Sequence, residues 1–379
     1  MINKEIYVAK PVSINKYYND YDPLSLFANK TGFSVLRDRF GYLNVFSPWN
    51  LYKQYKKFPS SCCSLSFSYL MDKRANDIIE KIKKENKQLY IFLSGGVDST
   101  AMTIAILKSI NKELKNAIHI IINSVTEFEN PEFVKHLYNY NIDIIHCKSN
   151  SLDDIQEKIL ETDYALVGWA ADQLFGSIIN QSYPNWYKKD WKEWLVKTTY
   201  IGCSHIKSKI YESIDQFEEA FNFYNLPIHT FGEFAWFMNF SAKYDIVTHN
   251  DVLYSGKLTN RMISFYDTEE FNDWSVSNFD NLHNYPQQDT EHYKIELKNY
   301  IYSYNKDSNY KKFKGKLGSW GYACQKLNIK EYPNICIIKT PDTFYFYKYS
   351  KKYNISKCID IESILMRNFL REYRKDNFI

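Results

Sequence analysis

The chain has 379 residues, 45% hydrophobic and 24% charged, values of a folded globular protein long enough for two domains. A net charge of +4 is weak beside the concentrated basic stripe that usually marks a nucleic-acid binder, so nucleic acid is possible but not indicated, and no apolar run reaches the length of a bilayer span. Seven cysteines without a C-x-x-C pair argue against a zinc site or a disulfide framework, so the expectation is a cytoplasmic protein with reduced thiols and no membrane contact.

Residues 1–68 lack helical periodicity; 33–36 and 42–46 flank Arg37-Asp38-Arg39-Phe40-Gly41 and read as a hairpin in a small β-containing cap. Next, Met71, Ala75, Ile78, Ile79 and Ile82 recur on one helical face, and the basic run 81–87 reads as the solvated end of that helix. Residues 89–93 have the character of a buried parallel strand and run into Ser94-Gly95-Gly96-Val97-Asp98-Ser99-Thr100. Helical spacing resumes at once with Ala101, Met102, Ile104, Ala105 and Leu107. Further strands are expected at 117–122, 142–145 and 164–167. The helices between them open at Asn130-Pro131 and at Ser151 with Asp154.

This alternation predicts an α/β fold, an open parallel sheet with helices on both faces, whose ligands bind beyond the strands' carboxyl ends. After Ser177 aromatic helical stretches follow at 186–196, 211–224 and 231–244. A late hairpin at 336–347 breaks at Thr340-Pro341-Asp342, and a closing helix is expected at 362–374. The predicted organisation is a cap or remnant over 1–68, a nucleotide-binding core over 69–180, and a mostly helical substrate-side extension over 181–379.

Two stretches carry chemistry. Gly95 and Gly96 let the backbone turn sharply and present N–H groups, Ser94, Ser99 and Thr100 add hydroxyl donors, and the following helix points its positive end at the same spot. That is a site for phosphate oxygens. Asp98 belongs there only if a cation such as Mg2+ lies between it and the phosphates. The string has neither the ending of a Walker loop nor a dinucleotide fingerprint. At the end of the fourth strand, Gly168-Trp169-Ala170-Ala171-Asp172 again puts small residues before an aspartate. An open sheet brings Asp172 to the same rim as Asp98, where the two would share Mg2+; a helix N-cap is the other reading of Asp172.

The string Ser-Gly-Gly-Val-Asp-Ser resembles the pyrophosphate-binding loop of the N-type ATP pyrophosphatases, which split ATP between its α and β phosphates. The second stretch, continuing through Gln173-Leu174-Phe175-Gly176, resembles Gly-Glu/Tyr-Gly-Ser-Asp-Glu-Leu-Phe-Gly of the asparagine synthetases and their β-lactam- and lasso-peptide-forming relatives. Ser264-Phe265-Tyr266-Asp267 is similar to their Pro-Phe-Leu-Asp, and Lys314-Gly315-Lys316-Leu317-Gly318 to their Arg-x-Lys-x-Gly. The resemblance spans roughly residues 70–320.

It implies an AMP-forming ligase that uses ATP and Mg2+ to adenylate a small-molecule carboxylate and passes the acyl group to ammonia or an amine. Ser94, Gly95, Gly96, Val97, Asp98, Ser99 and Thr100, with Gly168 beside them, would hold the pyrophosphate. Ile122, Asn123 and Ser124 would meet adenine through main-chain groups. Asp98 and Asp172 would hold the metal, and Lys316 would stabilise charge at the reacting centre, a solvated lysine being its plainer reading.

Three departures qualify this. Ile2 stands where amidotransferase members carry their catalytic cysteine, so no glutaminase activity is expected and a separate protein that supplies the amine enters as a partner. Trp169 replaces the Glu or Tyr of the second motif, and indole accepts no proton; Glu233 is a speculative substitute, a helix-start glutamate being the plainer reading. The acid cluster that would recognise the substrate is also missing. The alternative function is a pyrophosphatase-loop enzyme that adenylates a base or carbonyl in a nucleotide or nucleic acid, kept open by the basic cluster at 306–316.

Overall fold

The computed structural model describes residues 5–8, 38–43, 57–59, 62–111, 113–140, 142–147, 159, 162–176, 187–200, 207–242, 244, 261–282, 290–315, 334–339, 344–349 and 356–359. The expected hairpin at 33–36 and 42–46 (all but residues 42 and 43), the helix opened by Ser151, the closing helix at 362–374 and Lys316 lie outside these residues. The chain divides into two compact units: Pro59–Tyr187 with Lys257–Glu331, and Met1–Phe58 with Lys188–Gly256 and Tyr332–Ile379.

The first strand is β1 (Glu5–Val8). Helix α1 (Phe67–Glu85) starts where the Ser66 side chain accepts from the Tyr69 N–H and stops at left-handed Asn86. Its buried face is Phe67, Leu70, Met71, Ala75, Ile78, Ile79 and Ile82, while Lys83 and Lys84 sit at the negative end of the helix. Strand β2 (Leu89–Phe92) leads into α2 (Val97–Ser109), which is buried almost all round and packs on α1. Strand β3 (Ile118–Ile122) is followed by two short helices, α3 (Ser124–Glu129) and α4 (Pro131–Tyr138), capped by Asn123 and Asn130. Strands β4 (Asp143–His146) and β5 (Tyr164–Val167) and the short helix α5 (Ala171–Phe175) complete this stretch.

Helices α6 (Trp191–Tyr200), α7 (Lys207–Tyr224) and α8 (Phe231–Phe237) belong to the other unit. The predicted helix at 186–196 begins later because the Asp190 side chain accepts from the Glu193 N–H at 2.8 Å and so caps it. The predicted helix at 231–244 changes pitch, continuing after Phe237 as a π-helical turn over Met238–Ala242. In this unit Trp191 stacks on Phe234 at 4.8 Å and Trp236 on Phe240 at 4.7 Å, so Trp236 is core rather than pocket lining.

The chain then returns to the first unit with β6 (Met262–Ser264), α9 (Glu269–Ser277), the short α10 (Phe279–Leu282), α11 (Ile295–Asn305) and α12 (Ser308–Phe313). Helix α11 packs along α2. The five-stranded sheet has the order β4-β3-β2-β5-β6 and every pair in it is parallel, which makes the fold α/β as expected. Strand order reverses between β2 and β5, so the crevice that takes ligands in such sheets opens at their carboxyl ends. Strand β6 was not anticipated from the sequence.

Strands β7 (Asn334–Lys339), β8 (Phe344–Tyr349) and β9 (Ser356–Ile359) follow. The late hairpin pairs Lys339 with Phe344, and β1 joins its outer edge to give an antiparallel sheet of order β1-β7-β8-β9. Among the described residues no helix is long and apolar enough to cross a membrane.

Candidate active site

The turn after β2 is fixed from both sides. The Thr126 hydroxyl donates to the Leu93 carbonyl at 2.6 Å, and the Leu93 N–H donates to the Ile121 carbonyl, so the strand end is tied to β3 and α3. Gly95 then takes φ +85°, and a Cβ there would stand 2.8 Å from Glu129 Cβ and 2.9 Å from the Thr126 carbonyl oxygen. Only glycine satisfies both demands. Gly96 caps α2 without a side-chain hydrogen bond, leaving the helix's positive end without a side-chain cap. The Ser94 N–H donates to Ser99 Oγ at 3.1 Å, and the two hydroxyl oxygens lie 2.9 Å apart, so both hydroxyls gather at the turn.

The second strand end meets the first. Gly168 follows β5, and a Cβ on it would lie 3.1 Å from the Ser99 nitrogen, so its small size lets β5 close on the first turn of α2. Ala170 has φ 70°, a conformation that strains a residue with a Cβ, at the position where the resembling motif has glycine. This turn makes Ala170 the N-cap of α5 and puts Asp172 in the helix's first turn, so Asp172 is not the cap itself. The Ser264 hydroxyl donates to the Trp169 carbonyl at 3.0 Å, and half-buried Trp169 stays at the strand end.

Asp98 and Asp172 are brought together by a residue that the sequence reading missed. The ammonium of Lys294 lies 2.6 Å from both carboxylate oxygens of Asp98 and 2.6 Å from Oδ1 of Asp172. Burial works against that charge, yet the Asp172 and Asp98 carboxylates outweigh it and hold Lys294 well above the usual lysine range. Buried Tyr266 also reaches this point, its hydroxyl donating to the Asp98 carbonyl at 2.8 Å. Arg74 of α1 supports that segment by donating to the carbonyls of Ser264 and Phe265. The weak Ser-Phe-Tyr-Asp match therefore marks a stretch that contacts the loop helix.

A second lysine lies near the glycine turn. Lys314 donates to the Glu129 carbonyl at 2.9 Å and its carboxylate at 3.1 Å, and that carboxylate would lie 3.9 Å from a Cβ on Gly96. Lys314 and Glu129 are largely buried, so a compensated ion pair flanks the glycine turn.

The other expected residues are placed as follows. Val97 and Thr100 are buried in the first turn of α2, and Thr100 accepts from the Asn130 side chain at 3.2 Å. The Ile122 carbonyl accepts from the Cys147 N–H, and the Asn123 N–H and side chain form the α3 capping box; Ser124 is exposed. Glu233 closes a capping box with Thr230 in the other unit, which is the helix-start role.

Two hard-oxygen carboxylates converging on a single cationic point suit Mg2+, so Asp98 and Asp172 fit the metal that the resemblance implies. Among the described residues no group of three or more His, Cys, Asp or Glu side chains is arranged for a metal. Among these residues the site offers a pair of carboxylates for a metal.

No family model matches the chain. One curated relative, GMP synthase [glutamine-hydrolyzing] from Dictyostelium discoideum, is 36% identical over 94 residues. The match covers 23% of this chain and 13% of that protein, so the chain spans about an eighth of the relative's length.

Proposed function

We propose that the chain is an ATP pyrophosphatase-type ligase that binds the triphosphate at the glycine turn and transfers AMP to a substrate oxygen. One observation carries this reading: the uncapped positive end of α2, the glycine turn and the Asp98–Asp172 pair all meet at the strand-order reversal. The partial likeness to GMP synthase supports the same reaction class.

The finer reading is of the asparagine-synthetase type. A substrate carboxylate oxygen attacks the α-phosphorus, the bond from that phosphorus to its bridging oxygen breaks, and pyrophosphate leaves. The acyl-adenylate is then attacked at its carbonyl carbon by ammonia or an amine, and AMP departs as the nitrogen loses a proton. Backbone N–H groups at the turn, the Ser94 and Ser99 hydroxyls and the α2 end would hold the leaving pyrophosphate where negative charge collects. A divalent cation held by Asp98 and Asp172 would offset the same charge. The second reading, adenylation of a carbonyl in a nucleotide, is favoured by the relative's name, which denotes synthesis of one.

The experiment is incubation with ATP, Mg2+ and panels of carboxylates and nucleotides, with products separated chromatographically. AMP with pyrophosphate supports the class, and the panel that stimulates it separates the two readings. Release of ADP and phosphate sinks both.

A further inference from the structure

Lys294 is placed unlike an ordinary surface lysine. Its side chain is 1% exposed, while those of Asp98 and Asp172 are 25% and 26% exposed, so the carboxylates reach solvent and the ammonium does not. The residue sits in the left-handed region at φ 47° as N-cap of α11, a strained conformation at a helix end that disfavours a cation. Because α11 packs on α2, the helix that delivers the ammonium is anchored to the helix that carries Asp98. Tyr293 lies beneath, its ring 5.5 Å from the ammonium.

A free divalent cation entering this pair would have to displace a buried ammonium whose ion pairs among the described residues are with these two carboxylates. Stranding such a charge is strongly unfavourable. A polyphosphate changes the balance, because it brings new anionic oxygens to the α2 end and gives the ammonium a partner.

We propose that Lys294 is a resident counter-ion that closes the Asp98–Asp172 pair to free divalent cations, so that a metal joins the site only together with a polyphosphate. The choice of polyphosphate as the companion rests on the proposed function; the exclusion of free cations does not.

The test uses Mn2+ as the probe, titrated by electron paramagnetic resonance into the full chain without nucleotide, into Lys294→Met and Lys294→Gln variants, and into each with Asp172→Asn added. Circular dichroism checks that each variant folds. The wild-type chain should hold free Mn2+ weakly, and the neutral variants should bind it at least about tenfold tighter, a gain that Asp172→Asn removes. Adding inorganic tripolyphosphate should bring Mn2+ to the wild-type chain. Wild-type binding of free Mn2+ as tight as in the neutral variants overturns the proposal, and, if both neutral variants fail to fold, Asp172-dependent wild-type binding of Mn2+ that tripolyphosphate leaves unchanged overturns it. Calorimetry with a non-hydrolysable ATP analogue runs in parallel. Absence of nucleotide binding there counts against the proposed function and leaves the free-Mn2+ comparison intact.

Discussion

Gly95 and Gly96 are adjacent, yet a methyl group added to each should damage different properties. At Gly95 the methyl would be forced to φ +85° and to within 2.8 Å of Glu129 Cβ and 2.9 Å of the Thr126 carbonyl oxygen. The left-handed backbone costs about 1–2 kcal/mol and the overlap about 1–3 kcal/mol, offset by about 0.5–1 kcal/mol from a stiffer unfolded chain. Gly95→Ala should therefore lose about 1–4 kcal/mol of stability, read as a lower urea midpoint at unchanged slope. Gly96 is extended, at φ −69° and ψ 164°, and the nearest atoms to its added methyl are Ser94 Oγ at 3.5 Å and Glu129 Oε2 at 3.9 Å. Gly96→Ala should keep its stability to within about 1 kcal/mol, since only the cap preference is touched. Its methyl would stand in front of the α2 end, so affinity for an ATP analogue should fall about tenfold or more by calorimetry. Wild-type affinity in folded Gly96→Ala would remove the phosphate from this turn. Unchanged stability in Gly95→Ala would show that the strain and overlap have been misjudged.

Three further outcomes are expected. Tyr266→Phe, which deletes the hydrogen bond to the Asp98 carbonyl, should cost about 1 kcal/mol in the same denaturation assay; a loss indistinguishable from zero would show that this bond does not help hold the loop helix. Lys314→Met leaves the Glu129 carboxylate uncompensated beside the glycine turn and should weaken binding of the ATP analogue, while adding Glu129→Gln should restore most of it; a double variant no better than the single one refutes the pairing argument. Burial pushes the phenols of Tyr266 and Tyr293 well above the usual tyrosine range. A folded value raised above the unfolded one gives stability that is fully present below the unfolded value, about 10, and lost as pH climbs through the folded value. Alkaline unfolding should accordingly begin above about pH 10 and coincide with tyrosinate absorbance, whereas smooth ionisation of these phenols in a folded chain contradicts their burial.

The parallel sheet was legible because its buried strands are short apolar runs, a pattern that survives without any knowledge of neighbours. The glycine turn was legible for a related reason: it is formed by contiguous residues. Strand β6 was not, since three half-buried residues at a sheet edge carry too little pattern to stand out. The role of Glu233 had a local signal, Thr230 three residues before it, which marks a capping box and argues against a catalytic base. Lys294 had no such signal in the linear chain, because its partner Asp98 lies 196 residues away. What betrays it is local inconsistency once the helix boundary is known. A lysine at a helix N-terminus opposes the macrodipole, and a left-handed non-glycine cap opposes the backbone, so neither choice helps α11 to form. Two violations in one residue need a compensating gain elsewhere, and the carboxylate pair of Asp98 and Asp172 is the gain within reach.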